Sequence, residues 1–382
     1  MTGARGWRLM TEEFDWRRVR RDFPATRQLA YLNSAATGLV PRQVAEAAAE
    51  FYRDAQETGD ARWFDWLRRR ERVRATIARM INAEPKEIGL TTNTSQGMNL
   101  IADALEGRGE VVSCELEFPT STLPWMQRGV AVNFIRARDG AFDADDVTAA
   151  TTERTGVVCL SHVQYSNGFR APLEEIGAAK GRHRFVVNAA QSAGVFPIDV
   201  RRMRIDALCS TGHKWMLAGF GSGFVYLSRE LLDETRPRAV SWMSVEDPFA
   251  MRNDELAVRA DAAARAELGC PHFAGIFALG AAADYHFELG PERVERRALE
   301  LNRLLTGRLG EAGWKILSPL GDEAGRSAET LVACEDRERV LAHLSRRGVA
   351  VSTKPEGFRV ATHVFNDEED ISRLIAALEE TR

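Results

Sequence analysis

One lysine stands out by its setting. From Ile205 to Leu227 the chain reads IDALCSTGHKWMLAGFGSGFVYL. Two short apolar runs, Ile205–Cys209 and Phe224–Leu227, have the pattern of buried strands and flank a Gly- and Ser-rich turn carrying His213 and Lys214. Only five of the 51 basic residues are lysines, so arginine serves wherever a surface charge suffices. A primary amine in a partly apolar pocket loses its proton more readily, because desolvation disfavours the charged form, and it becomes a nucleophile towards carbonyls. An ordinary loop lysine is the alternative that these residues alone leave open.

A second stretch suits an anion. In TTNTSQGMNLIADAL, Thr91–Leu105, a Thr-rich turn runs into a helix with Met98, Ile101, Ala102 and Leu105 on its apolar face. Thr94 or Ser95 can cap it, and the free N–H groups of the first turn, with the hydroxyls, form a phosphate-type site; a plain N-cap is the alternative. Small residues from Ser34 to Gly38, in YLNSAATGLVP, allow a backbone to approach a ligand closely or simply make a tight turn. Four polar segments each follow an apolar run: Phe118–Thr120, Gln164–Asn167, Asn188–Gln191 and Thr211–Lys214.

The elements that must position these residues alternate. Val111–Cys114, Val130–Ile135, Thr155–Val163 and Phe185–Val187 read as strands between helical segments, so the expected fold is α/β with a mostly parallel sheet covered on both faces. Ligands bind such sheets at the carboxyl ends of the strands, where the four polar segments fall. Beyond Leu227 the pattern becomes a smaller α+β unit, with helices expected at Ala274–Phe287, Pro291–Ala312 and from an Asn366 N-cap onwards. Residues 11–23 read as an amphipathic helix ended by Pro24. The expected organisation is an N-terminal helix (1–30) on the small domain, a large domain (31–270) and a small C-terminal domain (271–382).

Composition narrows the function classes. A net charge of −4 leaves no electrostatic footprint for nucleic acid. No stretch approaches the ~20 apolar residues of a membrane span, and no apolar leader begins the chain. Five scattered cysteines without a CxxC pair indicate a reducing, cytoplasmic setting and no zinc site; no metal is expected.

With these segments in order, the chain resembles the class V aminotransferase family, fold-type-I enzymes of pyridoxal 5′-phosphate (PLP). That family includes cysteine desulfurases, kynureninases and isopenicillin N epimerase-like proteins. The likeness runs from YLNSAATG to FRVATHVFN. It implies a homodimer with shared active sites, acting on a small amino acid. By resemblance, Lys214 forms the Schiff base with the cofactor and moves protons. Thr94, Ser95, Thr211 and His213 form the phosphate cradle, and Phe118 stacks on the ring. Asn188 faces the ring nitrogen, Gln191 the phenolic oxygen, and Gln164 or Tyr165 the same edge. Arg359 clamps the α-carboxylate, so its truncation is expected to cost binding rather than folding, and Asn33 lies on the substrate side.

Three departures shape the expected chemistry. Asn188 in NAAQS stands where the family carries an aspartate, so the ring nitrogen loses the charge that keeps it protonated, and the cofactor becomes a weaker electron sink. Cys270 in ELGCPH replaces a threonine whose hydroxyl reaches the neighbouring subunit's phosphate, and a thiol donates weakly. The segment before Arg359, VSTKPEG, holds no cysteine, so cysteine desulfuration through a loop thiol is disfavoured. The leading expectation is a transaminase or lyase acting at the α-carbon. An epimerase, a kynureninase-like hydrolase and a catalytically decayed PLP-binding protein are the alternatives.

Overall fold

The computed structural model describes residues 14–382. In chain order the strands are β1 (Ala30–Tyr31), β2 (Ile88–Thr91), β3 (Glu110–Cys114), β4 (Val132–Ile135), β5 (Thr155–Ser161) and β6 (Arg184–Asn188). They continue with β7 (Ala207–Thr211), β8 (Gly223–Leu227), β9 (Glu329–Ala333), β10 (Val349–Ala350), β11 (Ser352–Lys354) and β12 (Gly357–Ala361). Seven of them make one sheet in the order β2-β8-β7-β6-β5-β3-β4. All neighbours are parallel except β8, which runs against both β2 and β7.

Period-two alternation explains why this sheet needs cover on both sides. Val112, Cys114, Leu160, Phe185, Val187 and Leu208 point into one apolar layer. Their neighbours Val111, Cys159, Val186 and Cys209 point into the other, against Met98 and Ile101 of the helix Thr94–Ala104. Cys114, Cys159 and Cys209 are therefore core residues, as small apolar side chains are. Gly97 lets that helix approach closely, since a Cβ there would lie 2.7 Å from the Cβ of Cys209.

The parallel strands send their carboxyl ends to one edge of the sheet. Thr91, the last residue of β2, pairs with Gly223 at the start of β8, and Thr211, the last of β7, pairs with the same glycine. The helix start at Thr94 and the Lys214 turn are thus neighbours there, though far apart in sequence.

The C-terminal unit is a three-stranded antiparallel sheet, β11-β12-β9, with helices Pro291–Glu311, Arg337–Arg346 and Glu368–Glu379. The helix Phe273–Leu289 contributes Phe273 and Phe277 to the apolar layer under the large sheet. In the N-terminal stretch a helix spans Trp16–Arg20; the expected residues 11–13 lie outside the described ones. Arg20 reaches Asp370 at 2.6 Å and Asp367 at 3.2 Å, tying the chain's beginning to its last helix. That last helix starts one residue later than its sequence signal suggests. Asp367 is the N-cap, boxed with Asp370, because Asn366 donates to the Tyr31 carbonyl and to Asp370 while accepting from the His363 N–H. Among the described residues no helix is long and apolar enough to cross a membrane.

Candidate active site

Where the strand ends converge, a cavity of about 430 Å³ opens between the large sheet and the β11–β12 hairpin. It is lined by Thr94, Ser95, Phe118, Asn188, Gln191, Thr211, His213, Lys214 and Arg359 of the expected set, together with Tyr165, Ser352 and Lys354. Residues spread over more than 260 positions thus share one volume, within the size range of ligand sites.

Lys214 leaves the end of β7 in a turn fastened from three sides. Gly212 donates to the Ser222 carbonyl, Leu217 donates to that of Lys214, and Gly38 donates to that of His213. Gly38 is required here because a Cβ would stand 2.1 Å from the Lys214 carbonyl oxygen. Burial, helped by the charge of Arg359 and opposed by Glu329, pulls the Lys214 amine down to about 8. Its Nζ lies 5.7 Å from the centroid of the Phe118 ring. Phe118 is itself held by its neighbour Glu117, whose buried carboxylate accepts from the Ser161 N–H and hydroxyl at 2.5 Å and from Gln164 at 2.9 Å. Burial raises the Glu117 carboxyl above its ordinary value, against those three donors.

Across the cavity the helix Thr94–Ala104 presents its first turn. Asn93 caps it by accepting from the Gln96 N–H, so the Thr94 and Ser95 N–H groups have no helical partner. The Thr94 hydroxyl is buried without any hydrogen bond, while Ser95 bonds Thr120 at 3.0 Å. An orphaned hydroxyl beside free N–H groups at a helix N-terminus, facing a buried amine, fits a ligand with a phosphate at one end and an aldehyde at the other. Thr211 and His213 complete that wall, joined at 2.6 Å, with the imidazole stacked 4.6 Å from the Phe220 ring. Burial and the charge of Lys214 lower His213 to about 4, so it is a neutral hydrogen-bonding group at pH 7.

Asn188 donates to the Ser121 hydroxyl and accepts from the Ala190 N–H, both at 3.0 Å, so its amide is fixed. Gln191 accepts from the Trp215 indole at 2.7 Å and donates to the Ala35 carbonyl at 3.0 Å. Arg359 is committed on one side only. Its Nη1 donates to the Tyr165 carbonyl at 2.9 Å and to Glu329 at 3.1 Å, while Nε is buried without a partner. Glu329 and Arg359 sit on adjacent strands two positions out of register, hence on the same face.

Three expected residues stand elsewhere. Gln164 is fully buried behind the cavity, donating to Glu117 and the Ser161 carbonyl, and the next residue, Tyr165, takes the lining position. Asn33 does not line the cavity; it accepts a hydrogen bond from Ser352, which does. Cys270 is exposed and away from its own chain's cavity. The ion pair with Glu329 also revises the expectation that Arg359 could be truncated without structural cost. Glu329 itself escapes sequence reasoning; its signal is an acidic residue opening the apolar run ETLVA.

The sequence matches the Aminotransferase class-V family over residues 30–374. The chain belongs to that family. Its fold is fold type I, and its cofactor is PLP, for which the Lys214 amine and the Thr94 cradle are suited. A probable cysteine desulfurase of Methanothermobacter thermautotrophicus is 29% identical, with 95% of this chain and 97% of that protein covered. An isopenicillin N epimerase of Streptomyces clavuligerus is 28% identical, covering 96% and 98%. A solved cystine C-S lyase, in complex with its product cysteine persulfide, is 25% identical with a TM-score of 0.86, covering 93% of this chain and 98% of that one.

These relatives overturn one expectation. Cysteine desulfuration cannot be disfavoured for a chain so similar to named cysteine desulfurases. As a family member the chain is a PLP-dependent enzyme of amino-acid chemistry.

Proposed function

We propose that this enzyme breaks the carbon–sulfur bond of a cysteine-like α-amino acid, using Lys214 to carry the cofactor and to move the α-proton. The observation that carries the catalytic part is a buried amine pulled to about 8 in the same cavity as an arginine whose Nε has no partner. The relatives named for desulfuration and C–S lysis support the choice of bond.

When bound, the cofactor supplies the electron sink that makes the α-proton acidic. Thr94, Ser95, Thr211 and His213 would hold its phosphate, with Phe118, Asn188 and Gln191 around its ring. The Nε edge of Arg359 would take the α-carboxylate, a task that suits its planar fork. Glu329 keeps the guanidinium in place and leaves Nε without a partner. Lys214, neutral in part near pH 8, accepts the α-proton and can return it to a departing group. For a cysteine the balance is simple: water and cysteine give pyruvate, ammonia and hydrogen sulfide, with the bonding pair leaving on sulfur. No cysteine is among the residues lining the cavity, so the sulfur passes to solution or to an external thiol. If an external thiol takes it, alanine remains instead of pyruvate. A homodimer is part of this reading; Phe249, Met251, Leu256 and Leu268 are exposed in the stretch that ends at Cys270, where a second copy would cover them.

The test is to incubate the holoenzyme with cysteine and cystine and to follow sulfide, pyruvate and alanine together. Sulfide or persulfide with pyruvate or alanine is the expected result. Pyridoxamine phosphate with an intact keto acid, or a racemised amino acid alone, would replace this reading with transamination or epimerisation.

A further inference from the structure

The cavity holds a cation that the Arg359–Glu329 ion pair does not engage. Arg359 and Glu329 neutralise each other, and the free edge of Arg359 accounts for one anionic group. Lys354 adds a second positive charge. Among the described residues it has no carboxylate within ion-pair distance, and its hydrogen-bond partner is the Tyr165 carbonyl at 2.9 Å. Arg359 donates to the same oxygen at 2.9 Å, so the two cationic nitrogens lie no further apart than twice that distance.

Lys354 is not a mobile loop lysine. It ends β11 and pairs with Gly357 of β12 across a turn of only two residues, Pro355 and Glu356. Gly357 holds that turn in place: its φ is +157°, and a Cβ would meet the Val332 carbonyl at 2.0 Å. The ammonium sits 4.0 Å from the centroid of the Tyr165 ring, and that ring in turn packs edge-on to Phe118, 5.0 Å between centroids. Burial and the positive charges of Arg359 and Lys214 pull the amine to about 8, with Glu329 and Glu356 opposing from longer range. A fixed, half-buried cation repelled by its neighbours is stabilised by an anionic partner, and among the described residues no carboxylate lies within ion-pair distance to serve as one.

We infer that Lys354 is a specificity-determining residue that binds a second oxyanion, such as a carboxylate, at the end of the substrate's side chain. The substrate class is then a sulfur-bearing α-amino acid with an acidic side-chain terminus. The inference rests on the carbon–sulfur reading only for the bond broken; the anion site stands on its own geometry.

Two substrates of nearly equal shape separate the possibilities: S-carboxymethylcysteine and its neutral amide counterpart, S-carbamoylmethylcysteine. Binding to the holoenzyme is read from the cofactor's absorption, and turnover from pyruvate and released thiol. The wild type is expected to favour the acid at least tenfold in affinity and in kcat/KM. Lys354→Met should bring that preference close to one while leaving the amide's constants within twofold, and Lys354→Arg should keep most of it. An unchanged preference in Lys354→Met, equal handling of both by the wild type, or no binding of either overturns the inference. Preferential binding of the acid without thiol release would retain the anion site and instead defeat the carbon–sulfur reading.

Discussion

Replacing Arg359 with alanine tests how the site is built as well as what it binds. The Glu329 side chain has 0% exposure and that of Arg359 5%, with 3.1 Å between them. Without the guanidinium, an ionised carboxylate would remain buried, offset only by Lys214 and Lys354 at longer range. Removing one member of a buried pair costs about 3–5 kcal/mol, and the two lysines place the expected loss near the lower end, about 3 kcal/mol. The pH dependence has a definite sign. Burial already raises the Glu329 carboxyl, with Arg359 first among the opposing charges, so the variant raises it further. A carboxyl whose pKa is higher in the folded than in the unfolded state stabilises the fold while protonated, and that contribution is lost as pH rises through the folded-state value. The destabilisation should therefore be largest near pH 8 and shrink towards the ordinary glutamate range. Urea unfolding followed by tryptophan fluorescence gives the comparison, with the midpoint shift multiplied by the m-value. The double variant Arg359→Ala/Glu329→Gln removes the stranded charge and should recover most of the loss at pH 8. If the single variant unfolds at the wild-type urea concentration at pH 8, or the double is no better than the single, the buried charge is not what Arg359 supports.

Borohydride reduction of the holoenzyme and peptide mapping should find the pyridoxyl group on Lys214; a label on Lys354, the other lysine of the cavity, would reverse their assignments. Burial holds the Lys214 amine near 8, so its nucleophilic neutral form grows as pH rises from 7 to 9. Covalent uptake of PLP by the emptied protein should accelerate over that interval and then level off, whereas a rise continuing past pH 10 would indicate an ordinary lysine. Asn188→Asp restores a charge opposite the expected ring nitrogen and should speed α-proton exchange of a bound amino acid several-fold at matched cofactor occupancy; equal rates would remove Asn188 from the electronics. Gly38→Ala drives a Cβ into the Lys214 carbonyl at 2.1 Å and should lower PLP content or soluble yield. Gly307→Ala, in an open position of the helix Pro291–Glu311, is the control, expected to be neutral or to stabilise by about 0.4–1 kcal/mol. A normal PLP content in Gly38→Ala would show that the Lys214 turn tolerates displacement.

Most of the cavity was legible in the sequence, for a physical reason. In a parallel sheet every strand delivers its carboxyl end to the same edge, so polar residues following apolar runs must gather there. Thr94, Phe118, Asn188, Gln191, Thr211 and Lys214 could be assembled without coordinates. The fold class follows from the same alternation of strand and helix.

Single-residue choices and charge balance needed the tertiary structure. Gln164 and Tyr165 are neighbours whose side chains take opposite directions, and only the packing of Gln164 on Glu117 shows which one turns inward. Asn366 carries a good capping signal, but its side chain is drawn away by Tyr31, from the other end of the chain, leaving Asp367 to cap. Above all, no spacing connects Glu329 with Arg359 or Lys354 with Tyr165. Antiparallel register between β9 and β12 makes the first pair, and packing of the end of β11 against the segment that follows β5 makes the second. Sequence periodicity records which face a residue takes within its own element; which charges meet across elements is set by register and packing, and that decided the electrostatics of this site.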